Sequence, residues 1–225
     1  MVSRRMVVAA VSLGLVIAAM PGYASQGGTP YRSSATSGSC DQIASIGSCS
    51  WEANADVATG ATHVRVSAEP GYQGANVAVY QHGYARAELA TTATIAGASS
   101  RVRFKVTFVI DSAITVCEDQ VDPDSQTRCA AWISATAQAA HTECECTATW
   151  SDVLVGNAFY NPEAGRPFYL TLTNPSGGNL PEGEVKLTLG VEADMSALLI
   201  PMVATVYEPR IVADANIRAL VERVS

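Results

Sequence analysis

Three features of this sequence predict an all-β chain folded as an antiparallel β-sandwich, jelly-roll-like in its connections, with about ten strands. The first is alternation. Val102, Phe104, Val106, Phe108 and Ile110 interleave with Arg101, Arg103, Lys105 and Thr107, and Val185, Leu187, Leu189, Val191, Ala193, Met195 and Ala197 share one parity without a break. A period of two gives a strand one greasy face and one wet face. The second is punctuation, because clusters such as Pro70-Gly71-Tyr72-Gln73-Gly74 and Asn174-Pro175-Ser176-Gly177-Gly178 stand between the runs and are turn formers. The third is the near absence of any helical period, together with six cysteines that can reinforce a two-sheet fold.

The N-terminus reads as an export signal. Arg4 and Arg5 precede an apolar run over residues 6–20, and the small residues around Gly22-Tyr23-Ala24 suit cleavage after Ala24. Residues 1–24 are therefore expected to be a secretory signal peptide, and the mature chain a secreted, extracellular one. The apolar run is shorter than the ~20 residues that cross a bilayer, so no membrane insertion is expected after cleavage. Ser3-Arg4-Arg5-Met6-Val7-Val8 also resembles a twin-arginine export signal, with Val7 where Phe is usual. Six cysteines to oxidise favour the general route over one that folds its cargo in a reducing cytosol.

Removing residues 1–24 takes away two arginines and no acid, so 12 cations face 21 acids and the net charge becomes −9. Such a surface repels nucleic acid and anionic lipid, which excludes both as partners. Only Lys105 and Lys186 are lysines, and Ala, Thr and Val abound, a bias associated with high-GC bacteria. Residues 25–39, SQGGTPYRSSATSGS, hold almost nothing to bury and read as a flexible leader. Residues 40–225 remain as a single sandwich domain, large enough to bury roughly 70% of its unfolded surface without help from a metal.

In chain order, Cys40 and Cys49 bracket a step short enough for a local disulfide. Trp51, Ala53, Ala55 and Val57 lie on one parity, and Thr62, Val64, Val66 and Ala68 follow on the other, which predicts a hairpin turning at Gly60. Val77 and Val79 open a run that continues through Ala85, Ala87 and Leu89 to Ile95, with Gly83 marking a bulge or bend. Gly97 to Ser100 turn the chain into the strand at residues 101–110, which extends through Ile114 and Val116. Residues 129–139 and 142–154 read as strands, 162–167 as a loop, and Phe168, Leu170 and Leu172 as a further strand. The longest strand-like run is 185–197; residues 211–224 offer a last strand, with a short helix over 216–224 as the alternative. Trp51, Trp132 and Trp150 are assigned to the core.

The long alternating runs 85–95 and 185–197, the latter ending Ala-Asp-Met-Ser-Ala, and Ala213-Asp214-Ala215-Asn216 before the last strand give residues 50–224 the texture of a known group. The chain resembles the uncharacterised secreted β-sandwich proteins that bacteria tether by a C-terminal sorting anchor. The resemblance implies the same sandwich and a role at the cell surface. Here the sequence ends at Val224-Ser225 without an apolar segment, basic tail or sortase signal, so the resemblance implies a member that is released or held by partners.

Candidate chemistry is sparse. Cys144 and Cys146 are two apart; on a strand their side chains run parallel, a poor approach for a direct bond. Two inter-strand disulfides joining the Cys117/Cys129 pair to the Cys144/Cys146 pair are expected instead. A zinc site built from these thiols or His141 is the rival, weakened by oxidation and by the lack of a zinc-type spacing. Asp119, Asp122 and Asp124, with Glu118, gather carboxylates that suit calcium, yet the spacing matches no EF-hand and Pro123 intervenes. A solvated turn is the first reading there, calcium the one cofactor to test, and no other cofactor is expected.

Tyr72, Tyr80, Gln81, His82 and Tyr84 place rings and hydrogen-bonding groups together. Sugars are bound this way, with rings on pyranose faces and amides or imidazoles on hydroxyls; the plainer reading has the tyrosines covering the core edge. There is no nucleophile elbow and no H-E-x-x-H motif, and His63, His82 and His141 fall on separate predicted strands. The expected function is a non-catalytic binding or surface-interaction module that takes an extracellular glycan or a surface protein. A self-assembling cell-envelope protein is the first alternative and a small secreted hydrolase the second.

Overall fold

Alternation decides which side of each strand is buried, and the buried sides face one another across two antiparallel sheets. A computed structural model of the chain describes residues 31–43, 47–71, 78–117, 126–157, 159–200 and 210–224. Its strands are β1 (Ser33–Ile43), β2 (Ser48–Asp56), β3 (Ala61–Glu69), β4 (Val79–Ile95), β5 (Arg101–Cys117), β6 (Gln126–His141), β7 (Thr147–Gly156), β8 (Phe159–Tyr160), β9 (Phe168–Thr173), β10 (Gly183–Ile200) and β11 (Ile211–Arg223). One sheet has the order β1-β4-β10-β6-β7-β8 and the other β2-β3-β11-β5-β9. The hairpin β2–β3 and the run β6–β7–β8 stay within a sheet, and every other step crosses between them. The fold is the predicted sandwich.

The last two strands lie inside the sheets and not at their margins. β10 runs between β4 and β6, and β11 between β3 and β5. The inner face of the six-stranded sheet is rich in alanine, with Ala85, Ala87, Ala135, Ala137, Ala139 and Ala193 fully buried, while Phe104 and Phe108 supply bulk from β5. Small side chains set against large ones let two twisted sheets close without voids. Removing a ring such as that of Phe104 would cost about 3–5 kcal/mol.

Residues 101–110 hold their predicted parity, and a bulge then changes it. Ile217 pairs with Ile110 but Asn216 pairs with Ser112, so Asp111 is the extra residue. Beyond it Ala113 and Thr115 take the inward positions, and Ile114 is turned out and 52% exposed. Arg218 clasps the Asp111 carboxylate with two hydrogen bonds of 2.8 Å, which raises the Arg218 pKa above its usual value.

Elsewhere the structure departs from the sequence reading. Residues 33–39, placed in the flexible leader, form most of β1 and pair with β4; an edge strand held by backbone bonds on one side needs no apolar face. Residues 211–223 are strand throughout, so the helical alternative is set aside. Gly83 makes no bulge, since β4 keeps register with both neighbours through it. It is glycine because a Cβ would lie 2.9 Å from Val66 and 3.1 Å from Met195. Trp51 has the inward parity but remains 44% exposed at the sandwich margin, its ring lying on Gly38.

All six cysteines are bonded, and the expected pairing is corrected. The bonds are Cys40–Cys49, Cys117–Cys129 and Cys144–Cys146. Cys144 and Cys146 sit in a bend between β6 and β7 and not on a strand, so their side chains are free to converge, with Cα atoms 5.2 Å apart. No thiol is left for zinc. Three disulfides fit an oxidising compartment such as the cell exterior.

Candidate functional site

On β4, parity separates the residues that the sequence grouped. Tyr80, His82 and Tyr84 point outward from the six-stranded sheet, whereas Gln81 points into the sandwich and is fully buried. The Gln81 Nε2 donates to Ser48 O at 3.1 Å and its Oε1 has no partner. Gln81 therefore does not share a face with the aromatic residues. Tyr72, Asp119, Asp122 and Asp124 lie outside the described residues, as do the signal peptide and residues 25–30 of the leader. Among the described residues no three of His, Cys, Asp and Glu are grouped so as to hold a metal ion.

Register brings two further residues to this face. Tyr84 on β4, Asp194 on β10 and Trp132 on β6 are consecutive partners in one row, so their side chains leave the same face as neighbours. Two strand spacings put Tyr84 and Trp132 about 10 Å apart with Asp194 between them. The adjacent rows are Asp41–His82–Ser196–Ala130 and Ile43–Tyr80–Leu198–Arg128. The result is a shallow outward surface with rings on both sides of a carboxylate and an imidazole.

Asp194 is the unusual group in it. The residue is 9% exposed, its Oδ1 is buried with no hydrogen-bond partner, and its Oδ2 lies 3.4 Å from His82 Nε2. Burial raises the Asp194 carboxyl above the usual carboxylate range; His82 opposes the rise and Glu192 adds to it. Arg86 is fixed nearby by Glu88 at 2.6 Å and Glu192 at 3.4 Å, which leaves the His82 imidazole as the polar neighbour of Asp194. A desolvated polar atom without a partner is rare in a folded protein and sets Asp194 apart from the other acids of this face.

The other two histidines are held apart from this face. His63 sits on the outer surface of the five-stranded sheet, with Asp214 Oδ1 at 3.1 Å from Nε2 and Glu52 at 3.7 Å from Nδ1. His141 is the buried last residue of β6, where Nδ1 accepts from the Glu143 N–H and Nε2 donates to Pro181 O. That is the bonding of a structural histidine.

A concavity of about 140 Å³ opens elsewhere, between β7 and β9. Its floor is a stack of rings, with Trp150 and Phe168 centroids 3.9 Å apart and Phe108 5.8 Å from Trp150. Over it runs the loop 161–167, organised by Asn161: its Nδ2 donates to Asp152 at 2.7 Å, and its Oδ1 accepts from Glu163 N. Glu163 and Arg166 pair at 2.7 Å on the rim. The polar groups here are satisfied by one another.

Sequence reasoning missed Asp194 and assigned Trp132 to the core. The polar parity of 192–196 already turned Glu192, Asp194 and Ser196 outward; the register that sets Asp194 between two aromatic rings has no signature in the sequence. Comparison with protein-family models, with curated proteins and with solved structures finds no match to this chain.

Proposed function

We propose that the protein is a non-catalytic, extracellular binding module whose ligand is a glycan, taken on the outer face of its six-stranded sheet. The observation that carries this reading is the row Tyr84–Asp194–Trp132, with the Asp194 carboxylate desolvated between two rings. Pyranose C–H faces pack on aromatic rings, and hydroxyls donate to a carboxylate that ordinary water no longer serves. His82 holds Asp194 in place and offers a second polar contact, and Tyr80, 39% exposed, extends the surface. The Asp194 carboxyl at the centre of this face disfavours sulfated or uronate-rich chains, so neutral or amino-substituted glycans are the better match.

A glycan array probed with the purified protein and with Tyr84→Ala and Trp132→Ala tests this. Each substitution is expected to weaken binding at least tenfold, about 1.4 kcal/mol, with an unchanged circular dichroism spectrum. A blank array for the wild-type protein, or binding indifferent to both substitutions, overturns the reading.

A further inference from the structure

An unusual edge lies at the margin of the same sheet. β1 is the outermost strand, bonded to β4 on one side, and among the described residues no strand lies on its other side. It runs for 11 residues and is exposed over most of them. From Ser33 to Cys40 it carries no charged residue and no proline. The remaining edges are short or guarded: β7, which β8 covers at two residues and Asn161 at Val153 and Leu154, carries Asp152; β9 has six residues with Arg103 over the Tyr169 ring at 4.3 Å; and β2 carries Glu52 and Asp56. Long, flat, uncharged edges are templates for another strand, and proteins usually break them with Lys, Pro or a bulge.

We infer that β1 is a self-association edge, where a second copy of this chain adds its own β1 antiparallel and joins two six-stranded sheets into one. Charge selects the occupant. The chain is acidic, net −7, so two copies repel over most of their surface; where β1 faces β1 about a two-fold axis, Ser, Ala and Thr meet Ser, Ala and Thr with no charge opposed. At the end of the strand, Ile43 is 63% exposed and is the register partner of Tyr80, which adds apolar surface beside the edge.

A two-fold axis normal to the sheet keeps both outer faces on one side. Two Tyr84–Asp194–Trp132 rows then lie on a continuous surface, and a polymeric ligand meets two sites at once. The dimer stands on the edge alone and holds whether or not the ligand is a glycan.

Sedimentation velocity over a concentration series provides the test. One strand edge buries an area at the low end of specific interfaces, so a reversible dimer with Kd of about 1–100 µM is expected. Ala35→Lys and Thr36→Lys, at exposed positions on opposite faces of β1, should each raise Kd at least tenfold with unchanged circular dichroism. Thr171→Lys on β9 should leave it unchanged. A wild-type protein that stays monomeric to about 500 µM, a dimer indifferent to both β1 lysines, or growth beyond two copies overturns the inference.

Discussion

Cys49 and Cys117 stand in one register row of the five-stranded sheet, with Ala68 and Ile211 between them, and each is bonded to a cysteine of the other sheet. Cys40 and Cys129, their partners, lie at nearly the same level of the six-stranded sheet, opposite Gly83 and Ala197. The two sheets are thus stapled together on both flanks at one end of the sandwich. Cys144–Cys146 closes a bend and joins nothing distant.

The three bonds should therefore differ in value. Cys40–Cys49 and Cys117–Cys129 close loops with sequence separations of 9 and 12, so replacing either pair by alanine is expected to cost about 2.5–3 kcal/mol. The Cys144–Cys146 loop is far smaller, and the chain-entropy loss on deleting that bond is about 1 kcal/mol. Urea unfolding of the three double variants ranks them; equal losses would contradict the stapling account.

Gly60 provides a second test, at the β2–β3 turn. Its φ is +72°, and an added Cβ would lie 2.6 Å from Ala219 O and 2.9 Å from the Tyr31 ring. Tyr31 donates its hydroxyl to that same Ala219 carbonyl at 2.7 Å, and its burial pushes the phenol pKa well up. Gly60→Ala should cost about 2–3 kcal/mol, from left-handed strain plus a backbone clash. Gly97 has φ +82° with open space around it, so Gly97→Ala should cost only about 1 kcal/mol. Thermal melts that place the two variants together would show that the Ala219 contact is unimportant.

Asp194 gives a pH dependence of stated sign. Its carboxyl is raised in the folded state by burial, so between the unfolded carboxylate value and the raised one the native state holds more protons. Stability contributed by the neutral acid is present below that window and lost as pH rises through it. Asp194→Asn removes this slope, so the variant should gain melting temperature relative to wild type on going from about pH 4 to about pH 7. A difference that stays constant, or runs the other way, would refute the assignment.

Which side each strand buries was legible in the sequence, and which strands lie together was not. Val185 to Ala197 announced a strand with one apolar face, and β10 buries those residues; the hairpin at Gly60 was equally plain, since Asp56, Thr59 and Gly60 form its turn. β1 escaped notice because it is held by backbone bonds to β4 and buries little, so its side chains carry no pattern. The Asp111 bulge was hidden for a similar reason, since apolar residues stand on both parities from Val109 to Val116. The cysteine pairing failed on its premise: parity constrains Cys144 and Cys146 only if they occupy a strand. Half of the candidate site was visible as Tyr80, His82 and Tyr84; the other half, Trp132 and Asp194, comes from strands distant in sequence.

The central placement of β10 and β11 fixes when the molecule can become itself. Until those strands arrive, β4, β6, β3 and β5 each lack a neighbour and the two apolar faces have nothing to close against. A chain made from its N-terminus delivers them last, so the sandwich is completed only once residues 211–223 have been added. The three cystines ask for no such wait, because each joins residues that emerge close together. In an oxidising compartment these short loops can close before the two sheets do.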